Sequence, residues 1–206
     1  MRPLPFFGEL LLSKGLKIPG TIILFLCLLM TNCFKIAAQN YAFGEVSVEE
    51  IEQKQHPLEP DANAAILYRK HREYYGNDFA RYAEVQERIK IYNKEGFERA
   101  TVEILLREDD RITDLKAYTY NLKEGKVEKQ KLSKNAIFEE KFDDHHTITK
   151  FGMPAVTEGS VLEISYTAKR YGWLDRLPLQ FDIPLDRLEV KVDIPLACIY
   201  AILLII

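Results

Sequence analysis

The chain has 206 residues, of which 47% are hydrophobic and 29% are charged, and its formal net charge is −3. This length is sufficient for one domain with a hydrophobic core, or for one domain behind a targeting segment. The composition excludes a low-complexity or disordered chain. The acidic balance argues against nucleic acid as a partner, because binding to a polyanion relies on clustered Lys and Arg.

The N-terminal residues have the parts of a secretory signal peptide. Three basic residues precede an apolar run at residues 21–30, and Ala-Ala-Gln follows. We therefore predict a signal peptide over residues 1–39, cleavage between Gln39 and Asn40, and export to the periplasm or cell envelope of a Gram-negative bacterium. An uncleaved N-terminal anchor is the alternative, although the run is shorter than the ~20 residues that span a bilayer.

Removal of the signal peptide makes the chain more acidic. Four of the 28 basic residues and one of the 31 acidic residues lie in residues 1–39, which leaves 24 basic and 30 acidic side chains. The Lys-rich stretch Lys123–Lys134 is the one remaining concentration of positive charge. Because glutamates interrupt it and no aromatic residue lies within it, we predict a solvated hairpin there.

Residues 40–60 are predicted to form a short helix and a linker. Ser47 and Glu50 have the spacing of a capping box, in which each side chain accepts the backbone N–H of the other residue. The predicted helix ends before Pro57, and the proline-containing stretch His56–Asn63 is typical of a turn or linker.

The segment Arg81–Asn93 gives the clearest strand prediction. Apolar residues at positions 83, 85, 89 and 91 alternate with polar residues at positions 84, 86, 88 and 90. A period of two over this length predicts a strand with one face in the core and one face in water. The residues expected on the wet face are Glu84, Gln86, Arg88 and Lys90.

Further segments of this kind are separated by short turns, such as the one at Gly76–Asp78. Short turns without amphipathic helices favour a mainly β domain over residues 61–195, folded as an antiparallel β-sandwich or open barrel. The predicted signal helix and the one short helix complete this fold class. The other predicted strands are Ala64–Lys70, Phe97–Leu106, Ile112–Asn121, Ser160–Lys169 and the alternating stretch at Leu188–Val192.

Two charged clusters are the candidates for chemistry. Asp143–His146 combines carboxylates and imidazoles, which bind metals and transfer protons, but four adjacent residues of a regular strand cannot all face one ion. Arg107–Arg111 offers carboxylates without the spaced pattern of a calcium loop. We interpret both as charged loops and predict no catalytic, cofactor-binding or metal-binding residue. A metal-dependent hydrolase that uses Asp143–His146 is kept as an alternative hypothesis.

The sequence outside the signal peptide also lacks an activated nucleophile. Cys198 is the one cysteine there, and its apolar surroundings disfavour the reactive thiolate. Tyrosines are frequent in the predicted strands, where they either fill the sheet or form a carbohydrate- or peptide-binding surface. These tyrosines are Tyr68, Tyr74, Tyr75, Tyr82, Tyr92, Tyr118, Tyr120 and Tyr166.

Six segments occur in an order that resembles one known family. They are YAFGEVSVEE (41–50), DANAAILYRK (61–70), RIKIYNKEG (88–96), ITDLKAYTYNLKEGKV (112–127), MPAVTEGSVLEISYT (153–167) and LQFDIPLDRLEVKVDIP (179–195). Together they resemble the family catalogued as domain of unknown function 3857, over Asn40–Pro195. In that family an exported β-rich domain usually precedes a transglutaminase-like domain with a papain-like Cys, His and Asp site. The resemblance implies that this chain is the leading, non-catalytic part.

The chain ends on an uncharged apolar run, residues 194–206. In the family the corresponding strand leads into further strand sequence and the catalytic domain. We therefore interpret residues 196–206 as a truncation or frameshift, with a short membrane anchor as the alternative.

Two main functional hypotheses result. The first is an exported non-catalytic β-sandwich module, the N-terminal part of a transglutaminase-like protein, whose partner is the C-terminal transglutaminase-like domain missing from this chain. The second is a stand-alone envelope module that binds peptide or glycan. Neither requires a cofactor or nucleic acid, and either would contact a membrane only through an uncleaved signal or the apolar tail.

Overall fold

The computed structural model describes residues 41–172 and 177–195. The predicted signal peptide with its cleavage site at Gln39 and Asn40, and the apolar tail with Cys198, lie outside these ranges. The described residues contain one α-helix, two short 3₁₀-helices and nine strands. The elements are α1 (Val48–Glu52), β1 (Ala64–Tyr75), β2 (Arg81–Ile91), a 3₁₀-helix (Lys94–Ala100), β3 (Thr101–Arg107), β4 (Arg111–Lys123), β5 (Lys126–Lys131), a 3₁₀-helix (Lys134–Ala136), β6 (Ile137–Lys141), β7 (His146–Gly152), β8 (Val161–Arg170) and β9 (Leu188–Asp193).

These strands form two sheets, which confirms the predicted β-sandwich. The large sheet has the order β5-β4-β8-β2-β1-β9 and the small sheet the order β3-β7-β6, and neither sheet closes into a barrel within the described residues. The strand pairs are antiparallel except for β1 and β9, which run parallel. β8 and β9 follow each other in the chain and run in the same direction, with β2 and β1 between them in the sheet. A crossover connection therefore joins them.

Each sheet contributes one apolar face to a shared core. Ile66, Ile89 and Leu162 of the large sheet pack in one cluster with Ile104 and Phe151 of the small sheet. None of these five side chains is more than 6% exposed. Burial of one such side chain stabilises a fold by about 1.5–3 kcal/mol, so this layer is the main apolar contribution to folding.

The strand predicted over Phe97–Leu106 begins later than expected. Lys94–Ala100 forms a 3₁₀-helix, and β3 starts immediately after it. The Asn93 side chain caps this helix by accepting the N–H of Gly96 (3.3 Å). Gly96 also lies against the backbone of Asn63, whose carbonyl oxygen a Cβ at position 96 would approach to 2.4 Å. The cap and this close approach hold the chain in a helical turn.

Residues 41–52, here called the N-terminal segment, cover part of the other face of the large sheet. The predicted capping box is present: Ser47 Oγ accepts the N–H of Glu50 (3.2 Å), and Glu50 Oε2 accepts the N–H of Ser47 (2.9 Å). Ile51 of α1 packs in a second apolar cluster with Tyr120 of β4. No helix within the described ranges is long and apolar enough to cross a bilayer.

The polar face of β2 is only partly the wet face that its alternation predicted. Glu84 and Gln86 are half-buried, but Arg88 and Lys90 have no exposed surface. The N-terminal segment covers Arg88 and Lys90. The Gln86 side chain also donates to this segment, at the carbonyl of Tyr41 (3.0 Å). The expectation was therefore wrong for the second half of the strand, because a segment distant in sequence replaces water there.

Arg88 is the centre of a buried polar network. Its Nε (3.0 Å) and Nη2 (2.6 Å) donate to Glu163 Oε1, and its Nη1 donates to Glu50 Oε1 (2.9 Å). Nη2 also donates to two backbone carbonyls of the N-terminal segment (2.8 and 2.9 Å). The other oxygen of Glu163 accepts from the Tyr120 hydroxyl (2.8 Å) and the N–H of Gly44 (2.8 Å). This network joins α1 to three strands of the large sheet.

Replacing Arg88 should destabilise the fold strongly. In Arg88→Met the carboxylates of Glu50 and Glu163 stay buried without their cation, which typically costs about 3–5 kcal/mol. Urea unfolding followed by circular dichroism measures this loss. The control is Lys150→Met, which removes an exposed ion pair with Glu103 (2.5 Å) and should change the unfolding free energy little. Equal losses in the two variants would show that the network does not carry this role.

Lys90 lies beside this network, and its side chain donates to backbone carbonyls. Its Nζ donates to the carbonyls of Ile51 (2.6 Å) and Gly159 (2.5 Å). Burial, followed by the positive charge of Lys54, lowers the pKa of Lys90 to about 8, although the Glu50 carboxylate acts in the opposite direction. Lys90 therefore gives up its proton more readily in the folded state than in the unfolded state.

This difference predicts a stability that rises with pH. Between pH 8 and pH 10 the unfolded chain, with an ordinary lysine pKa near 10.5, binds more protons at position 90 than the folded chain, so the free energy of unfolding increases with pH. The increase attributable to Lys90 is at most about 3 kcal/mol. Denaturant unfolding at several pH values should show a flatter profile for Lys90→Met. Parallel profiles for the two proteins would contradict this assignment.

Candidate functional site

The two charged clusters selected from the sequence lie side by side at one end of the small sheet. Arg107 and His146 are paired in the register of β3 and β7, and the N–H of Glu108 donates to the carbonyl of His145 (3.0 Å). With Tyr171, these residues line an open cavity of about 530 Å³. The structure thus brings together two clusters that the sequence separates by more than thirty positions.

Two carboxylates at this cavity, those of Asp143 and Asp110, accept backbone N–H groups. Asp143 Oδ1 accepts the N–H of His145 (2.7 Å) and lies 2.9 Å from His146 Nδ1. These contacts, the His145 N–H first and the His146 side chain second, lower the pKa of Asp143. Asp110 in the facing turn accepts two backbone N–H groups (3.1 and 3.3 Å). Within residues 41–172 and 177–195, no three His, Cys, Asp or Glu side chains are placed to share a metal ion.

The two other histidines, of which His56 is buried and His71 is half-buried, form polar pairs with carboxylates that sequence reasoning missed. His56 Nε2 lies 2.8 Å from Asp186 Oδ1, and its Nδ1 accepts a backbone N–H of the linker (3.0 Å), so Nε2 carries the proton and donates to Asp186. His71 Nε2 lies 2.9 Å from Glu73, which also accepts from Arg81 (3.4 Å). The first pair ties the linker to the loop before β9. The second pair lies within β1, and the hydrogen bond from Arg81 to Glu73 connects it to β2. Sequence spacing carried no signal for a pair 130 residues apart.

Tyr68 and Tyr120 are buried, whereas the other strand tyrosines are half-buried and include one stacked pair. Tyr68 stacks on Tyr41 with ring centroids 4.8 Å apart and donates its hydroxyl to Glu189 (3.0 Å). Tyr74 and Tyr82 stack at 5.4 Å on the part of the large sheet that the N-terminal segment leaves uncovered. These two rings are half-buried and remain accessible.

The small sheet exposes apolar side chains on the face turned away from the core. In its register Leu105 lies opposite Ile148, and Phe138 lies opposite Lys150. Leu105 and Phe138 are 48% and 63% exposed, and Phe142 at the end of β6 is 62% exposed. We call Leu105, Ile148, Phe138 and Phe142 the outer patch. Exposed apolar side chains grouped on one face of a sheet mark contact sites in soluble proteins. Glu140, opposite Ile148, also lies on this face.

Comparison with known proteins gives a likeness of fold. No family model and no curated protein matches the chain. A crystal structure of a "putative protease" from Parabacteroides distasonis has a similar fold, with a TM-score of 0.56 and 13% sequence identity. The match covers 66% of this chain but only 29% of that protein. At this identity the likeness shows the β-rich fold alone.

The cavity geometry predicts that the adjacent imidazoles do not hold a metal ion. The double variant His145→Ala/His146→Ala should bind as much zinc as the unchanged chain, because no three His, Cys, Asp or Glu side chains of the described residues are placed to share an ion. Elemental analysis of tag-free protein after dialysis against zinc checks this. Loss of one equivalent of zinc in the double variant would instead support the metal-dependent hydrolase.

Proposed function

We propose that this chain is an exported, non-catalytic β-sandwich module of the domain of unknown function 3857 type, and that it forms the N-terminal part of a transglutaminase-like protein. The observation that carries this proposal is the coverage of the fold likeness. Two thirds of this chain resemble a region that makes up less than a third of a larger protein described as a protease. A module of this kind acts by packing against a catalytic domain or presenting substrate to it.

The outer patch supports this role. Its exposed aromatic side chains, Phe138 and Phe142, would gain free energy by leaving water, since a buried Phe contributes about 1.5–3 kcal/mol. Large aromatic residues are enriched in protein interfaces. The Lys150–Glu103 ion pair lies beside Phe138 on the same face. We assign the outer patch as the surface that contacts the catalytic domain.

A stand-alone peptide- or glycan-binding module is the second candidate function. The stacked rings of Tyr74 and Tyr82 favour it, because aromatic faces provide rigid contact area at low entropic cost. Arg72 lies over the Tyr74 ring (4.6 Å) and Lys169 over the Tyr82 ring (5.9 Å). These cations occupy positions that a bound ligand would otherwise take, which makes this candidate the weaker of the two.

The DNA immediately downstream distinguishes the two functions. The first predicts a continuation, in or out of frame, that encodes a domain with Cys, His and Asp in that order. This domain, produced separately, should then co-elute with the chain in size-exclusion chromatography. Phe138→Ser/Phe142→Ser should weaken the complex, whereas Phe79→Ser, at a site that is 91% exposed and outside the patch, should not. An unrelated downstream gene would exclude the first function and leave the second.

A further inference from the structure

The outer edge of β9 presents both apolar side chains and backbone hydrogen-bonding groups. Val190, Val192 and Ile194 are 40%, 38% and 37% exposed. The N–H of Arg69 in β1 donates to the carbonyl of Arg187 (2.9 Å), so the odd-numbered residues of β9 direct their backbone groups toward β1. The even-numbered residues direct theirs outward, where no strand of the described part of the chain pairs with them.

The other edge of the same sheet is built differently. The sequence of β5 is KVEKQK, and lysines on an edge strand are a common protection against pairing with another chain. In β9, one face carries the aliphatic side chains, and the other carries the alternating charges of Glu189, Lys191 and Asp193. Alternating charges of opposite sign allow a strand to pair with its own copy.

We propose that β9 pairs with β9 of a second copy of this chain, antiparallel about a two-fold axis at Val192. In this register Val190 faces Ile194 of the partner subunit, and Lys191 faces Asp193 of the partner subunit. The two Val192 residues face each other. Each pair formed by Val190, Val192 or Ile194 has outward backbone groups on both strands, so each exchanges two N–H···O=C hydrogen bonds. The aliphatic side chains form one continuous row on a single face.

Charge and the aliphatic row together select this register over its neighbours. A two-fold axis at Lys191 would place the two Lys191 side chains opposite each other and Glu189 opposite Asp193, and like charges directly across a sheet are destabilising. An axis at Val190 would also pair opposite charges, Lys191 with Glu189 and Asp193 with Arg187, but it would place Ile194 opposite an aspartate. Of the three, the axis at Val192 alone pairs Val190, Val192 and Ile194 with one another while Lys191 faces Asp193.

The dimer would join two large sheets into one continuous sheet. Pro195 does not interrupt the pairing between the two copies. The backbone groups of odd-numbered residues point toward β1, so the N–H that Pro195 lacks is not needed at the outer edge. The pairing uses β9 of the large sheet, whereas the proposed function uses the outer patch of the small sheet. The two proposals can therefore succeed or fail independently.

Disulfide cross-linking tests the register directly. The full chain with its three native cysteines replaced by Ser is produced in cells, oxidised and examined on a non-reducing gel. Val192→Cys should give a covalent dimer, because paired Cα atoms lie about 5.5 Å apart. Val190→Cys alone should not, because its two copies would lie about 14 Å apart, but Val190→Cys/Ile194→Cys should. Gln130→Cys on exposed β5 is the control and should remain monomeric.

A disruption variant tests the same interface without oxidation. In the full chain, Val192→Lys places two like charges opposite each other and should raise the dimer dissociation constant about tenfold or more in sedimentation analysis. Phe79→Lys, also at an exposed site, should leave the constant unchanged. Circular dichroism confirms that both variants fold.

Three outcomes would overturn the proposal. The first is a folded chain that stays monomeric at all concentrations. The second is equal cross-linking of Val190→Cys and Val192→Cys, which would show random collision. The third is a dimer that survives Val192→Lys but is lost in Phe138→Ser, which would place self-association at the outer patch.

Discussion

A guanidinium that is withdrawn from water must be neutralised and fully hydrogen-bonded, and this requirement on Arg88 organises one side of the large sheet. Glu163 neutralises the guanidinium from the neighbouring strand, Glu50 does so from α1, and two backbone carbonyls of the N-terminal segment accept further hydrogen bonds. Because Glu50 also completes the capping box with Ser47, one carboxylate both starts the helix and fixes its place on the sheet. A helix of five residues would not be stable alone, so α1 exists where it does because Arg88 is beneath it.

Local patterns predicted the strands well and their environments only in part. The alternation in Arg81–Asn93 correctly placed Ile89 and Ile91 in the core. The same alternation wrongly placed Arg88 in water. A charged residue that faces water and one that faces another charge give the same period-two pattern. The deciding partners lie 38 and 75 residues away. Glu163, a lone charge within the apolar run Val161–Ile164, was the one signal in the sequence that could have revealed the buried network.

The site candidates show the same division between local and distant information. The sequence identified Asp143–His146 and Arg107–Arg111 as charged loops, and in the structure the carboxylates of Asp143 and Asp110 accept nearby backbone N–H groups. Their meeting across β3 and β7 depends on strand pairing, which composition and spacing do not encode. The parallel position of β9 is likewise a matter of topology, since an alternating strand looks alike in either direction.

Tyr68 connects the two interactions on which this side of the molecule depends. Its ring stacks on Tyr41 of the N-terminal segment, and its hydroxyl donates to Glu189 of β9. Burial, followed by the Glu189 carboxylate, raises the pKa of Tyr68 to about 12, so the hydroxyl keeps its proton and this bond at physiological pH. The segment that Arg88 holds therefore packs on the side chain that positions β9. The position of β9 at the edge of the sheet therefore depends on Arg88, as the position of α1 does.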